Sequence, residues 1–507
     1  MRWLFASPDQ DESAPPGGRQ PGAHRPRPID LVLLIAGLLA LALRFTHLDL
    51  LPFILEEPTF LHWARTEAET GMWVSSSPIY GSQGMRYGPS VIWFYGVAQL
   101  LLGPLARSSI LAICAALTAA HVAIAAGISR ALGGGMRMMG MLILLIASSP
   151  FQYFWARVAW DPLVNACVGV LVLLLSGPGA LRIRDALAIG LLLGFAISSH
   201  LMVMPVVLAT GVVLALEQHT SPRRALFGAA LSGSALLVNL PYLLSLVEEQ
   251  GRSTPSPSHF RAGLLLDGLA EPVNVLTTRG FSYFFDHQWG HFQGWLGTWR
   301  PLFDVLAGVP VPLGVAALIG LVTMARRAPP SARRIARVGL LSWAGHALLL
   351  ALRVDRVYSH YAFPTYWVVP AGLAGGIAAL RRSREVLLAT WSLVGIALLQ
   401  LLFIVESNSY LTVYRGTNGI HYSSPLSEQT RVVRQACAAP GNVVRLVNET
   451  RVFAVSLSYI ARTEPVCQGK QLQLCRPGEP CPPLPPGGVE LRLRYEAPIG
   501  GALVLAP

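Results

Sequence analysis

Apolar residues along this chain fall in long unbroken blocks parted by short polar breaks, a rhythm that predicts membrane-spanning helices. Before Arg223 seven such blocks can be drawn, over about residues 29–45, 89–104, 108–128, 138–152, 160–177, 185–199 and 200–217. Beyond it, spans are expected over 225–247, 305–325, 338–353, 361–380 and 386–405. Arginines cluster between the later spans, at 223–224, 326–337 and 381–384, and mark three short inside loops. The first block starts late and lacks a small-residue cleavage site, so it is expected to stay as a span, with the N-terminus cytoplasmic. An inside N-terminus and an inside Arg223 allow only an even number of crossings. One of the seven blocks must therefore fail to span, and the 185–217 stretch, interrupted at Ser198, Ser199 and His200, is the first suspect. The expected architecture is an all-α polytopic membrane protein of about eleven transmembrane helices in the plasma (inner) membrane. The side of each loop between 104 and 184 stays open.

The polar remainder divides into four parts. Residues 1–28 are rich in Pro and Gly without apolar period, which predicts a disordered cytoplasmic arm. Residues 47–88 and 248–304 form outer loops, and 406–507 changes composition to short β-like runs (Asn442–Val447, Val452–Ile460, Val489–Tyr495) among Pro and Gly. That tail is expected to be a small external β-rich domain. It holds Cys437, Cys467, Cys475 and Cys481, without a paired zinc spacing, so two disulfides on an oxidising side are expected, with three connectivities open. Cys114 and Cys167 lie in apolar blocks and are expected to be buried thiols.

Composition narrows the class. Of 507 residues 53% are apolar and 13% charged, which excludes an ordinary soluble globule. The net charge of +12 is almost wholly arginine, Lys470 being the single lysine, and its clusters lie between apolar blocks, so no nucleic-acid surface is implied.

Candidate chemistry concentrates on the outer side. Glu56 and Glu57 precede Pro58 at the expected start of an interfacial helix whose Phe60, Leu61 and Ala64 share one face. Helix-dipole capping explains such acids, and so does a carboxylate placed to take a proton from an acceptor hydroxyl. The same loop carries Trp63, Trp73, Tyr80, Arg86 and Tyr87; an aromatic belt accounts for the rings, while Arg86 suits an anionic head group. Arg157 either serves likewise or pairs with Asp161 at i,i+4. His200 reads as a structural hydrogen-bonder, whereas His360 with Tyr361, after Arg353, Asp355 and Arg356, suits a phosphate. His287 and His291 stand at i and i+4 and are the only metal candidates, weakened by Gly290, so no metal site is assigned and a divalent ion is the one cofactor left open.

Glu56-Glu57, Gly88-Pro89, Ser149-Pro150 followed by Arg157, Pro241-Tyr242 before a long outer loop, and His360-Tyr361 with Pro364 occur in an order that resembles a known family. It is that of the integral-membrane glycosyltransferases of the C-type fold that use polyprenyl-phosphate sugars, including protein mannosyltransferase and aminoarabinose transferase relatives. The resemblance covers about residues 29–380 and implies inverting transfer of a hexose or pentose to a glycan, lipid or protein acceptor in the cell envelope. It implies a first-loop acid as base, Glu56 favoured by position over Glu57, and a donor phosphate held by Arg86, Arg157, His360 and Tyr361. Family members usually show Asp-Glu where this chain has Glu-Glu. Such a reaction needs charge neutralisation at a phosphate leaving group and one base on the acceptor side. The competing readings are a lipid-linked sugar flippase or transporter, a polymerase or ligase of lipid-linked glycans, and a non-catalytic scaffold. The first predicts internal repeats, and none is evident.

Overall fold

The computed structural model describes residues 27–54, 56–77, 86–160, 162–179, 181–218, 220–248, 260–281, 285, 288–353, 357–417, 423–450, 453–475, 480–496 and 500–506. The arm before residue 27, together with Tyr80, Asp161, His287, Asp355 and Arg356, lies outside the described residues, so the readings that rest on them are not addressed by the fold.

The chain is mostly helical. In order come α1 (Pro28–Ala42), α2 (Glu57–Thr70), α3 (Ser90–Leu102), α4 (Ala106–Leu132), α5 (Gly135–Ala147), α6 (Pro150–Trp155), α7 (Leu163–Leu175), α8 (Ile183–Ser199), α9 (Met204–Glu217) and α10 (Ser221–Glu248). They are followed by α11 (Ala262–Asn274), α12 (Trp289–Leu296), α13 (Arg300–Gly308), α14 (Pro310–Arg327), α15 (Pro330–Arg353), α16 (Val368–Ala379) and α17 (Ser383–Val413). Among the described residues six helical stretches are long and apolar enough to cross a membrane, among them Ala106–Leu132 and Ser383–Val413, and shorter apolar helices accompany them. Leu236, Leu237 and Leu244 on α10 and Val311, Val315 and Ile319 on α14 are exposed, an arrangement that water penalises and lipid accepts.

Side-chain ties give the direction of each helix. Asp30 at the start of α1 pairs with Arg137 at the start of α5 at 2.7 Å, and Arg44 just past α1 donates to the carbonyl of Ile146 at the end of α5 at 3.0 Å. Between them Gly140 meets α1 so closely that an added Cβ would stand 2.5 Å from the Leu34 nitrogen. Two helices that run parallel need an odd number of passes between them. The 27-residue α4 is that pass, and α3 is not.

α3 stays at one face. Its Gln99 Nε2 donates to the Leu61 carbonyl of α2 at 3.0 Å, Ser90 at its start meets Ser199 at 2.8 Å, and Pro104 just past its end accepts from the Tyr459 hydroxyl of the tail at 2.6 Å. The suspected 185–217 stretch is instead two passes parted at His200, whose backbone is extended (φ −160°, ψ 125°). One end of this pair lies against Ser90, and the other, at Glu217, pairs with Arg334 of α15 at 2.7 Å. The block that fails to cross the bundle is therefore 89–104. Composition could not reveal this, because α3 is as apolar as the helices that cross; its partners on α2 and the tail decide. At the far face Arg130 reaches the Leu173 carbonyl at 2.7 Å and Arg334 the Leu175 carbonyl at 3.1 Å, which collects the arginine clusters on one side.

α16 begins at Val368 and not at the expected 361, because residues 359–367 form a 3-10 turn and further turns around Pro364. α17 continues past the expected 405 without a break to Val413. The tail then holds α18 (Leu426–Ala438), β1 (Val443–Asn448), α19 (Ala454–Thr463), β2 (Gln471–Cys475), β3 (Val489–Tyr495) and β4 (Leu503–Ala506). Its sheet has the order β2-β1-β3-β4, with β1 parallel to both neighbours and β3 antiparallel to β4. Of the run expected as a strand, residues 454–460 are helical: Phe453, Leu457 and Ile460 are buried at i, i+4 and i+7, a helical face that the alternation had concealed. Disulfides join Cys437 to Cys467 and Cys475 to Cys481, and Cys114 and Cys167 are buried thiols. The tail is docked on the first loop. Leu426 N donates to the Leu51 carbonyl at 2.7 Å, the rings of Phe53 and Tyr459 lie 5.6 Å apart, and one buried cluster includes Phe53, Phe60, Leu426, Val433 and Phe453.

Candidate functional site

Four segments meet at the face that carries the tail: the start of α2, the turn after α6, the break between α8 and α9, and the turn before α16. Glu56 caps α2 through its carbonyl, which accepts from Phe60 N at 2.9 Å, and Pro58 sits in the first turn, where no amide partner is needed. Phe60, Leu61 and Ala64 share a buried face as their spacing predicts. That face is covered by α3 and the tail rather than by lipid.

The two acids face different surroundings. Glu56 is half-buried. Glu57 is 5% exposed, and its carboxylate accepts from Ile54 N at 3.2 Å and from Ala159 N at 2.8 Å. Burial pushes its pKa up to about 8, against the pull of those two amides. Further along α2, burial also raises Glu67, to about 7, while its Oε1 accepts from Val74 N at 2.8 Å.

Ala159 belongs to the turn that carries Arg157. Ser149 starts this region by capping α6, accepting from Gln152 N at 3.2 Å and donating to the Val275 carbonyl at 2.6 Å. Arg157 is fully buried; its Nη1 donates to the Thr46 carbonyl at 3.1 Å, and its guanidinium lies 4.1 Å from the Tyr153 ring centroid. Its Nε and Nη2 have no hydrogen-bond partner among the described residues. Guanidinium donors of this kind suit an anionic acceptor.

Arg86 and Tyr87 close the first loop against the same region. The Tyr242 hydroxyl donates to the Arg86 carbonyl at 2.6 Å, which gives the Pro241-Tyr242 pair a physical role. Tyr87 lies 5.6 Å, ring to ring, from His200. Gly88 then passes the end of α8 at a distance where a Cβ would be 2.3 Å from Ser198 Oγ, so no other residue fits there without movement.

His360 is 8% exposed, with ring centroids of Tyr361 at 4.6 Å, Trp160 at 4.9 Å, Trp155 at 5.7 Å and His200 at 6.5 Å. His200, read from sequence as structural, does cap the turn before α9, its Nδ1 accepting from Met202 N at 3.1 Å. It also stands inside the cluster. The interruption of an apolar run was the signal that could have singled it out. His346 of α15 is fully buried, within electrostatic reach of His200, and no sequence pattern pointed to it. His291 lies elsewhere, its Nδ1 2.9 Å from the Tyr410 hydroxyl and its ring against Tyr414. Among the described residues there is no group of three or more His, Cys, Asp or Glu side chains that could hold a metal.

Beside this cluster α9 and α15 leave an apolar groove of about 370 Å³, lined by Met204, Pro205, Leu208, Leu341, Gly345 and Leu348 among others. Leu349, in its wall, packs against a buried group of Met202, Leu350 and Tyr361.

No family model and no curated protein sequence matches the chain. Among solved structures it is similar to the crystal structure of ArnT from Cupriavidus metallidurans bound to undecaprenyl phosphate, at 15% identity and a TM-score of 0.51, over 89% of this chain and 86% of that one. The apo state of the same protein aligns equally well, at 15% identity and a TM-score of 0.51, over 88% and 85%. The likeness is one of fold: the chain has an ArnT-like C-type architecture along most of its length.

Proposed function

We propose that this chain is a multi-pass membrane glycosyltransferase that moves a sugar, with inversion, from a polyprenyl-phosphate donor to an envelope acceptor at the outer face. The observation that carries the reading is that the segments bearing Glu56, Arg86, Arg157, His360 and Tyr361 meet at one face, through the Glu57–Ala159, Tyr242–Arg86 and Trp160–His360 contacts, with an apolar groove between α9 and α15 nearby. Only a ligand with an anionic head and a long alkyl tail uses both parts. The undecaprenyl phosphate bound to the ArnT of similar fold supports that ligand class. In this reading the chain crosses the bilayer about eleven times, with α3 at the surface. The first loop and the disulfide-bearing tail then lie outside, where such bonds persist.

The reaction follows from the groups present. The acceptor oxygen attacks the anomeric carbon, its proton passes to Glu56, and the bond from that carbon to the phosphate oxygen breaks, releasing polyprenyl phosphate and the glycoside. Arg86, Arg157 and His360 neutralise the leaving phosphate, and the Tyr361 hydroxyl donates to it. Glu57, committed to two backbone amides, positions the start of α2 and leaves Glu56 as the base.

The test is transfer by purified protein in lipid, given a panel of radiolabelled polyprenyl-phosphate sugars and extracted envelope acceptors, with Glu56→Gln run in parallel. Label on an acceptor with wild type alone supports the reading. Label retained on the prenyl phosphate for every sugar, with the protein folded, refutes it and favours a flippase or scaffold.

A further inference from the structure

At the face opposite the tail a cleft of about 610 Å³ opens between the starts of α1, α5 and α17. Its upper wall carries Arg27, Arg137 and Arg384; its lower wall carries Leu33, Leu387 and Trp391. Arg137 is paired with Asp30 at 2.7 Å, whereas Arg384 makes no ion pair among the described residues. Arg27 and Arg137 both act on the Asp30 carboxylate, Arg384 adds a third guanidinium to the lining, and the cleft keeps an excess of positive charge among the described residues. Arg384, Leu387, Trp391 and Val394 follow at intervals of three and four and so lie along one face of α17, the cation uppermost. Leu387 and Trp391 are about half exposed and continue the apolar belt of the bundle. A cleft that is cationic at the rim and apolar below matches an amphiphile with an anionic head. A free anion would leave the apolar wall wet.

We propose that this cleft binds a phospholipid of net negative charge from the adjacent leaflet, its phosphate between Arg137 and Arg384 and one acyl chain along Leu387, Trp391 and Val394. Guanidinium groups suit this task because they offer paired donors to phosphate oxygens and keep their charge. The site is separate from the donor region, which lies at the other end of the bundle and uses none of these residues.

The test is native mass spectrometry of the delipidated full-length protein in detergent, titrated with phosphatidylglycerol or phosphatidylcholine, with and without inorganic phosphate. Wild type should retain phosphatidylglycerol with a preference of about tenfold or more, the effect expected of one charge-assisted contact. Arg384→Gln, a change at an exposed position, should lose that preference, and Trp391→Ala should weaken retention of both lipids. Arg137→Gln should act like Arg384→Gln, although it also strips Asp30 of its partner. Equal retention of the two lipids by wild type, or an unchanged preference in Arg384→Gln, overturns the proposal. Displacement of phosphatidylglycerol by millimolar inorganic phosphate overturns it in favour of a free-anion site.

Discussion

The Glu57 carboxylate accepts a 2.8 Å hydrogen bond from the backbone amide of Ala159, a residue 102 positions further on. Through it the first loop holds the turn that carries Arg157 and Trp160, and the Trp160 ring in turn lies tilted against His360, 4.9 Å between centroids. Loss of this one acceptor leaves two buried amides unpaired. Glu57→Ala should therefore cost roughly 2–4 kcal/mol of stability, and Glu57→Gln, which keeps one carbonyl acceptor, less. Thermal unfolding of both variants in the same detergent checks this; equal midpoints for the wild type and Glu57→Ala would disprove the tie.

The raised pKa of Glu57 makes stability depend on pH. The folded protein holds this proton up to about pH 8, while the unfolded chain releases it near the ordinary value of 4.5. Between those values the unfolded state binds fewer protons, so the contribution is full below 4.5 and is lost as pH rises towards 8. The thermal midpoint of the wild type should fall from pH 5 to pH 8 more steeply than that of Glu57→Gln. Parallel curves would mean that Glu57 is already ionised at neutral pH.

Glu56→Gln should lower the turnover number by about 10²–10⁴, the range for loss of a general base, while donor affinity stays within about twofold. Single-turnover transfer alongside equilibrium binding of an unreactive polyprenyl phosphate separates the two. A variant that turns over at the wild-type rate excludes Glu56 as the base.

The two arginines should respond differently. Arg157→Ala removes a donor to the Thr46 carbonyl and a cation over Tyr153, and should lose about 2–4 kcal/mol of stability together with donor affinity. Arg86, whose backbone carbonyl accepts from the Tyr242 hydroxyl, is tested on binding alone: Arg86→Ala should weaken donor binding about tenfold or more. If Arg86→Ala binds polyprenyl phosphate as well as wild type does, the phosphate lies elsewhere.

A ring introduced into the apolar groove should discriminate by chain length. Leu348 lines it and is about half exposed, so Leu348→Trp can fill the space without disturbing the packed interior. KM should rise several-fold for a long-chain donor and little for a short-chain one. Equal effects on both would place the prenyl chain outside this groove.

Much of the fold was legible because lipid exposure and arginine clusters leave marks on single helices. The starts of α1, α4, α8 and α10 fall within a few residues of the expected ones, and the two tail disulfides follow from four cysteines in a polar segment. What escaped was whatever depends on partners. α3 carries a spanning composition but rests on α2 through Gln99; residues 452–460 alternate like a strand but bury Phe453 and Leu457 on a helical face. At the site, Glu56, Arg86, Arg157 and His360 stood out as polar groups at the ends of apolar blocks. His346 was masked by such a block, His200 interrupted one and read only as structural, and the separate duty of Glu57 could not be read, because an amide 102 residues away leaves no trace in a local motif.

The 31 residues of α17 contain no proline and make a rod of about 46 Å, against a hydrocarbon layer of roughly 30 Å. It starts at the arginine-rimmed cleft and ends where the Tyr414 carbonyl accepts from Gly501 N of the tail, so its length works as a ruler between the cleft and the tail. Each residue added or removed would change that spacing by about 1.5 Å and swing the tail through roughly 100°. A one-residue change therefore turns the tail away from α2, and only steps of about a whole turn restore its bearing. The spacing of cleft and tail is thus quantised, in units of about one helical turn.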